Sequence, residues 1–131
     1  MSSHSIEIIL SRQLADNLSI PVFIVDPHGN LIFYNEPAEN LLGLRFEETG
    51  SMNVSEWSTI FKPQDENGKL LPAEDLPLVQ TMATQAPAHG SFWINNLNGL
   101  LYQISVTAYP IVGRPNRFLG AVAIFWKTLE K

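Results

Sequence analysis

The chain has 131 residues, 45% of them hydrophobic and 16% charged, which is typical of a single globular domain. Its formal net charge is -5, and its 8 basic residues are scattered along the chain. Because a nucleic-acid-binding face needs a concentrated Lys/Arg patch, we expect neither nucleic acid nor an anionic membrane as a partner. The absence of cysteine excludes disulfides, thiolate metal sites and a Cys nucleophile.

The N-terminal segment does not have the features of a targeting sequence. It lacks a basic region, and Glu7, Arg12 and Asp16 interrupt its apolar residues. No segment reaches the roughly 18 consecutive apolar residues that a membrane-spanning helix needs. We therefore expect a cytoplasmic protein.

Residues 3–18 are predicted to form an amphipathic helix. Its large apolar side chains recur with i, i+4 spacing and form one stripe: Ile6, Leu10, Leu14 and Leu18, with Ile9 beside them. Such a stripe needs a partner surface, which is either the sheet of the same chain or a second copy of the chain. The sequence leaves both alternatives open.

Two short strands are predicted next, at residues 20–26 and 31–35. Both are rich in β-branched and aromatic residues, and Pro27, Gly29 and Asn30 lie between them. Two apolar runs separated by such residues indicate a β-hairpin.

The middle of the chain is predicted to be helical. A short helix over residues 36–43 is favoured because Pro37 suits a first turn and Gly43 suits a helix end. Another short helix is predicted around residues 57–61, and a longer one over residues 72–84.

The last third is predicted to contain strands at residues 91–94, 100–110 and 118–126. The middle strand alternates between apolar and polar residues, as in a sheet with one buried and one wet face. The last strand is apolar on both faces, so we expect both faces to be covered. The element order predicts an α+β fold, in which a five-stranded antiparallel sheet carries helices on one face.

Three segments of the sequence resemble the PAS domain family, whose members include bacterial sensory modules. The segments occur in the family's order and are Pro21 to Gly43, Asn67 to Leu78, and Phe118 to Phe125. The resemblance implies a PAS-like fold and a role in signal transduction, such as two-component regulation, rather than catalysis.

The resemblance divides the chain into an N-terminal helix over residues 1–18, a PAS domain over 19–127 and a tail over 128–131. Many PAS domains end with an Asp-x-Thr motif that leads into an output helix, and here Thr128 is present but the Asp is not. Whether the chain is a stand-alone module or part of a longer protein with a fused output domain stays open.

The family's cofactors can be compared with the residues that this chain provides. Flavin photochemistry through a Cys adduct, and a covalently attached chromophore, both need a cysteine and are excluded. Haem needs an axial ligand, usually a His on the long helix, and residues 73–86 contain none. We do not expect haem, although Met82 and His89 are displaced candidates. His4, His28 and His89 are too dispersed to form a metal site.

The resemblance places a candidate ligand pocket between the inner sheet face and the helices. The strand alternation and helix spacing nominate Phe33, Asn35, Trp57, Phe61, Leu78, Met82, Tyr102, Ile104, Val106, Val122 and Ile124. Nothing charged falls among them, so the expected ligand is small and apolar or neutral, with Tyr102 and Asn35 as its polar contacts. The alternative is that these side chains simply fill the core.

The other sheet face and the N-terminal stripe form a candidate homodimer contact. The nominated residues are Ile6, Ile9, Leu10, Leu14, Leu119, Ala121 and Phe125. Three functions therefore stay open: a ligand sensor, a cofactor-free module that binds itself or a signalling protein, and a small α+β enzyme. The enzyme is disfavoured because the adjacent acids, such as Glu36 and Glu39, suit helix N-termini.

Overall fold

The computed structural model describes residues 5–130. Residues 3 and 4 of the predicted helix, which include His4, and Lys131 of the predicted tail lie outside this range. The elements in chain order are α1 (Ile6–Asp16), β1 (Val22–Val25), β2 (Leu31–Tyr34), α2 (Glu36–Leu42), α3 (Phe46–Thr49), α4 (Val54–Trp57), a 3-10 turn (Ala73–Asp75), α5 (Pro77–Thr84), β3 (Ala88–Asn95), β4 (Leu101–Gly113) and β5 (Arg117–Glu130).

The five strands form one antiparallel sheet in the order β2-β1-β5-β4-β3. Helices α2, α4 and α5 cover one face, which we call the inner face, and α1 lies on the opposite, outer face. The predicted α+β class and the five-stranded sheet are confirmed. Within residues 5–130, no helix is long and apolar enough to cross a membrane.

Side-chain caps set the start of three helices. The side chain of Ser5 accepts a hydrogen bond from the Ile8 amide at the start of α1, and Asn35 caps α2 in the same way. Asn53 and Glu56 form a capping box at α4. This capping box explains why α4 precedes the predicted position at residues 57–61.

The main difference from the predicted strands is in β5. Its pairing with β4 contains an irregularity, because Ile111 pairs with Gly120 whereas Val112 pairs with Phe118. Leu119 is therefore an extra residue, and a one-residue bulge reverses the face to which the following side chains point, as far as the next irregularity. The assignment of faces along β5 was consequently wrong from Ala121 onwards.

The strands are also longer than predicted. Strand β3 begins at Ala88 rather than Ser91, and β5 continues to Glu130 rather than ending at Trp126. Residues 128–130 are thus part of the sheet, and the structure does not separate them as a tail. A second irregularity places Thr128 as an extra residue opposite β4.

Candidate ligand cavity and outer sheet surface

A small cavity lies between the inner sheet face and the helical side of the domain. Its volume is about 70 Å³. Among the predicted pocket residues, five line it: Trp57, Phe61, Leu78, Ile104 and Val106. The alternation along β4 and the helical spacing therefore identified residues that the structure brings together.

The other predicted pocket residues lie elsewhere. Tyr102 belongs to the inner core, and Met82 packs against this core, but neither residue lines the cavity. Val122 and Ile124 belong to the outer face, because the bulge at Leu119 reverses β5. Phe33 of β2 also lies on the outer face, where it pairs with Ile24 of β1.

Asn35 does not face the cavity either. Its Oδ1 accepts hydrogen bonds from the amides of Ala38 in α2 and Val22 in β1. Its Nδ2 donates to the carbonyl oxygens of Ala15 in α1 and of Ile20. The predicted polar contacts of the ligand, Asn35 and Tyr102, are therefore both absent from the lining.

Several lining residues were missed by the sequence analysis. Phe125 and Ala123 line the cavity from β5, and Phe23 lines it from β1. Phe23 meets Phe125 edge to face, with ring centroids 5.5 Å apart. The lone glycine within the apolar run of β5, Gly120, was the available signal, since an isolated glycine in a strand often marks a bulge.

The lining of the cavity is apolar. The indole nitrogen of Trp57, which is the polar atom of a lining side chain, donates to the Gly29 carbonyl oxygen at 2.8 Å. The cavity is partly open to the surface, and its volume is well below the roughly 150 Å³ that accommodates benzene. It is also far below the roughly 300–1,000 Å³ of cofactor pockets.

One cofactor chemistry of the family is excluded by the residues of the chain. There is no cysteine for a flavin adduct. His89 lies on the outer face, where its Nδ1 is 2.9 Å from the Thr107 hydroxyl, so it is remote from the cavity. Within residues 5–130, no three His, Asp or Glu side chains group as a metal site would require.

Helix α1 covers only part of the outer face. Ile8 and Ala15 are its buried residues, and they pack against Val22, Ile111 and Val122. Four residues of the predicted stripe are largely exposed, with Ile6 67%, Ile9 46%, Leu10 56% and Leu14 58% exposed. Leu18 is partly buried against the outer-face cluster. The interpretation of the stripe as an intramolecular cap was therefore wrong for the four exposed residues, because α1 docks through a different face.

The strand residues of the predicted dimer contact are also placed differently. Leu119 is buried under α1, whereas Ala121 and Phe125 belong to the inner core. None of the three is available at the surface. The bulge is the reason, since β5 residues after it face the opposite side to the one predicted.

Other apolar side chains occupy the open part of the outer face. Tyr109, Trp126 and Leu129 are 36%, 43% and 56% exposed, and we call them the outer patch. Leu14 of the stripe, Tyr109 and Ile124 line one shallow cleft. The α1 stripe and the outer patch thus meet at Leu14 and Tyr109.

Polar pairs border the outer patch on β3, β4 and β5. The hydroxyls of Ser91 and Ser105 are 2.9 Å apart. The hydroxyl of Thr128, the residue that matches the end of the family motif, bonds to the backbone and side-chain oxygens of Gln103 at 3.1 and 2.9 Å. Thr128 therefore anchors the end of β5 to β4.

Two tyrosines have perturbed acidity. Burial raises the pKa of the Tyr109 hydroxyl, since the phenolate would be poorly solvated beside α1. Burial also raises the pKa of Tyr34, whose hydroxyl donates to the Leu44 carbonyl oxygen at 2.8 Å. Neither residue lines the cavity, so these shifts indicate packing rather than chemistry at a site.

The paired acids have structural contacts. A carboxylate oxygen of Glu39 accepts a hydrogen bond of 2.7 Å from the Phe46 amide, and Glu36 occupies the first turn of α2. Both positions suit a carboxylate that stabilises a helix start.

Comparison with solved structures finds the same fold in proteins of low sequence identity. A PAS domain from Colwellia psychrerythraea is 18% identical, with a TM-score of 0.67 over 92% of this chain and 96% of that one. The PAS domain of Bordetella pertussis BvgS is 13% identical, with a TM-score of 0.70 over 97% of this chain and 90% of that one. The Rhodobacter sphaeroides LOV protein is 13% identical, with a TM-score of 0.73 over 95% of this chain and 69% of that one.

Sequence comparison gives the family. No curated protein sequence matches the chain. A family model described as "PAS domain" matches residues 10–76, which is just over half of the chain and extends from α1 to the segment before α5. The chain therefore belongs to the PAS domain family, whose members are signalling modules.

Proposed function

We propose that this PAS domain signals as a homodimer joined through the α1 stripe and the outer patch. The observation that carries the proposal is the exposure of four large apolar side chains on an 11-residue helix. Large exposed apolar patches on soluble domains mark interaction sites. Because two copies related by a two-fold axis present the same surface, a self-complementary apolar patch suits a symmetric dimer.

Placing charge in the stripe tests the dimer. The double substitution Leu10→Asp and Leu14→Asp adds two carboxylates to the proposed contact, which desolvation would strongly penalise. We expect light scattering to change from a dimer to a monomer, with the far-UV circular dichroism retained.

The matched control places the same charges on exposed leucines away from α1. Leu70 and Leu97 are 63% and 45% exposed on turns outside the outer face. The Leu70→Asp, Leu97→Asp variant should remain dimeric. A stripe variant that stays dimeric, or a control that dissociates equally, would contradict the proposed contact.

A second candidate function is the binding of a small apolar ligand in the cavity. Its support is the apolar lining, which offers no hydrogen bond to a polar metabolite. The alternative, a cofactor-free interaction module, needs no occupant. As the output partner we propose a signalling protein or a fused domain of the two-component type, in a bacterial cytoplasm. This part of the proposal rests on the family resemblance. We propose no catalytic role.

Dissolved xenon is a suitable probe because it enters dry apolar cavities. We expect it to shift the methyl resonances of Ile104, Val106 and Leu78, which line the cavity, and not those of the exposed Val112. The Ala123→Val substitution adds methyl groups to the lining and should abolish these shifts. If xenon moves none of the lining methyls, the core is filled and the ligand proposal fails.

A further inference from the structure

The side chain of Asn35 joins four backbone groups at one buried point. It is only 2% exposed. Its Oδ1 accepts hydrogen bonds from the amides of Val22 at 3.0 Å and Ala38 at 3.2 Å. Its Nδ2 donates to the carbonyl oxygens of Ala15 and Ile20, both at 2.9 Å. All of its hydrogen-bonding groups are therefore used.

The two ends of this amide hold different parts of the molecule. The accepted hydrogen bonds come from β1 and from the first turn of α2, both within the core of the domain. The donated hydrogen bonds go to the last turn of α1 and to the segment that links α1 to β1. Asn35 is thus a polar connection between the core and α1.

The remaining attachment of α1 is small. Ile8 and Ala15 are the buried residues of the helix, and the Arg12 guanidinium lies 4.6 Å from the centroid of the Phe33 ring, whereas its four other large apolar side chains are exposed. Helices with few buried apolar contacts open at lower free energy than the rest of a domain. The two hydrogen bonds that Asn35 donates are therefore a substantial part of what holds α1 in place.

We propose that Asn35 is a latch for α1, and that loss of its two donated hydrogen bonds releases α1 as a unit while the sheet stays folded. The latch decides whether the α1 stripe lies beside the outer patch. The effect of the latch on dimerisation rests on the proposed dimer contact. In that contact, a released α1 no longer contributes to one surface with Tyr109 and Trp126. The latch itself does not depend on the dimer.

The substitution Asn35→Asp separates the two halves of the latch. A carboxylate still accepts from Val22 and Ala38, and it suits the N-terminus of α2. It cannot donate to Ala15 and Ile20 when ionised, and it places negative charge against their carbonyl oxygens. The variant should weaken the attachment of α1 while it preserves the cap of α2.

The matched control is Asn53→Asp. Asn53 also caps a helix, since its Oδ1 accepts from the Glu56 amide at 3.0 Å, but it lies at α4. The Oδ1 of Asn53 accepts hydrogen bonds from the Ser55 hydroxyl and the Glu56 amide. An aspartate at this position can accept both, so the substitution detaches no other helix.

Hydrogen exchange resolves the release of α1 from general destabilisation. In Asn35→Asp we expect the amides of residues 10–16 to exchange roughly tenfold faster or more, which corresponds to the loss of one or two hydrogen bonds. The amides of β4 and β5 exchange through openings that also release α1, so they should accelerate by no more than the same factor and stay far better protected than those of α1. In Asn53→Asp both sets should stay within about twofold of the wild type.

A second measurement keeps the test informative if Asn35→Asp does not fold. In the wild type, α1 amides should exchange through an opening that is less sensitive to denaturant than the opening of β5. Ile8→Ala should bring the α1 amides close to unprotected exchange while the β5 amides stay protected. Equal exchange rates and denaturant sensitivities for α1 and β5 in the wild type, or an Asn35→Asp variant in which α1 keeps the same protection as β5, would overturn the latch.

Light scattering on the same samples separates the two proposals. A monomeric wild type with selective release of α1 supports the latch and removes the dimer. A dimer whose α1 amides are as well protected as those of β5 supports the dimer and removes the latch.

Discussion

The two faces of the sheet differ in how completely the chain covers them. On the inner face, helices and strands bury a continuous core that includes Phe125, Ile104 and Leu78. On the outer face, α1 covers one part, while Trp126 and Leu129 remain exposed. Large exposed apolar patches on soluble domains mark interaction sites. The inner face holds the main core, and the outer face is where we propose the dimer contact.

Adjacent aromatic residues of β5 test this comparison with the largest expected effect. Phe125 is 4% exposed on the inner face, whereas Trp126 is 43% exposed on the outer face. Phe125→Ala should lower the free energy of unfolding by about 4 kcal/mol, because it removes a buried ring. Trp126→Ala should lower it by less than about 1 kcal/mol.

Urea denaturation followed by circular dichroism measures both changes. The Leu10→Asp, Leu14→Asp background is used so that subunit dissociation does not contribute. Similar losses of unfolding free energy for the two variants would contradict the difference in burial between the inner and the outer face.

The bulge that separates the faces along β5 gives the next largest effect. Gly120 has φ +143°, and a Cβ there would collide with the carbonyl oxygen of Val25. Gly120→Ala should therefore cost about 3 kcal/mol or more.

Gly99 is the matched control, since it has φ +85° but no atom near its Cβ position. Gly99→Ala should cost only about 1 kcal/mol from backbone strain. A tolerated Gly120→Ala in thermal unfolding would show that β5 does not need the bulge.

A buried hydroxyl on the helical side gives the smallest effect and the opposite sign. Thr81 is fully buried, and among residues 5–130 its hydroxyl has no hydrogen-bond partner. Replacing an unpaired buried hydroxyl with a methyl group is neutral or stabilising. Thr81→Val should therefore raise the free energy of unfolding by up to about 1 kcal/mol.

Thr84→Val is the comparison for Thr81, because the exposed Thr84 hydroxyl donates to the Gln80 carbonyl oxygen at 2.9 Å. It should change the stability by no more than about 0.5 kcal/mol in either direction. A clear loss of stability in Thr81→Val would indicate a hydrogen bond at that hydroxyl.

Much of the inner face was predictable because β4 alternates without interruption. Ile104 and Val106 share one face with period 2, and both line the cavity. The same rule failed on β5, since the bulge at Leu119 adds one residue and period-2 counting cannot detect it. Only Gly120 pointed to the irregularity.

The orientation of α1 was not predictable from its apolar pattern. The sequence shows a stronger stripe through Leu10 and Leu14 than through Ile8 and Ala15. The structure docks the weaker set, and the small Ala15 side chain lies against the sheet at 1% exposure. The role of Asn35 was equally hidden, because its four partners come from distant parts of the chain.

The mass of the purified domain in solution tests the central claim most directly. Light scattering across a concentration series should give twice the 14.6 kDa of one chain, with dissociation only on dilution. A mass of 14.6 kDa at all concentrations would contradict the assignment of the α1 stripe and the outer patch to a homodimer.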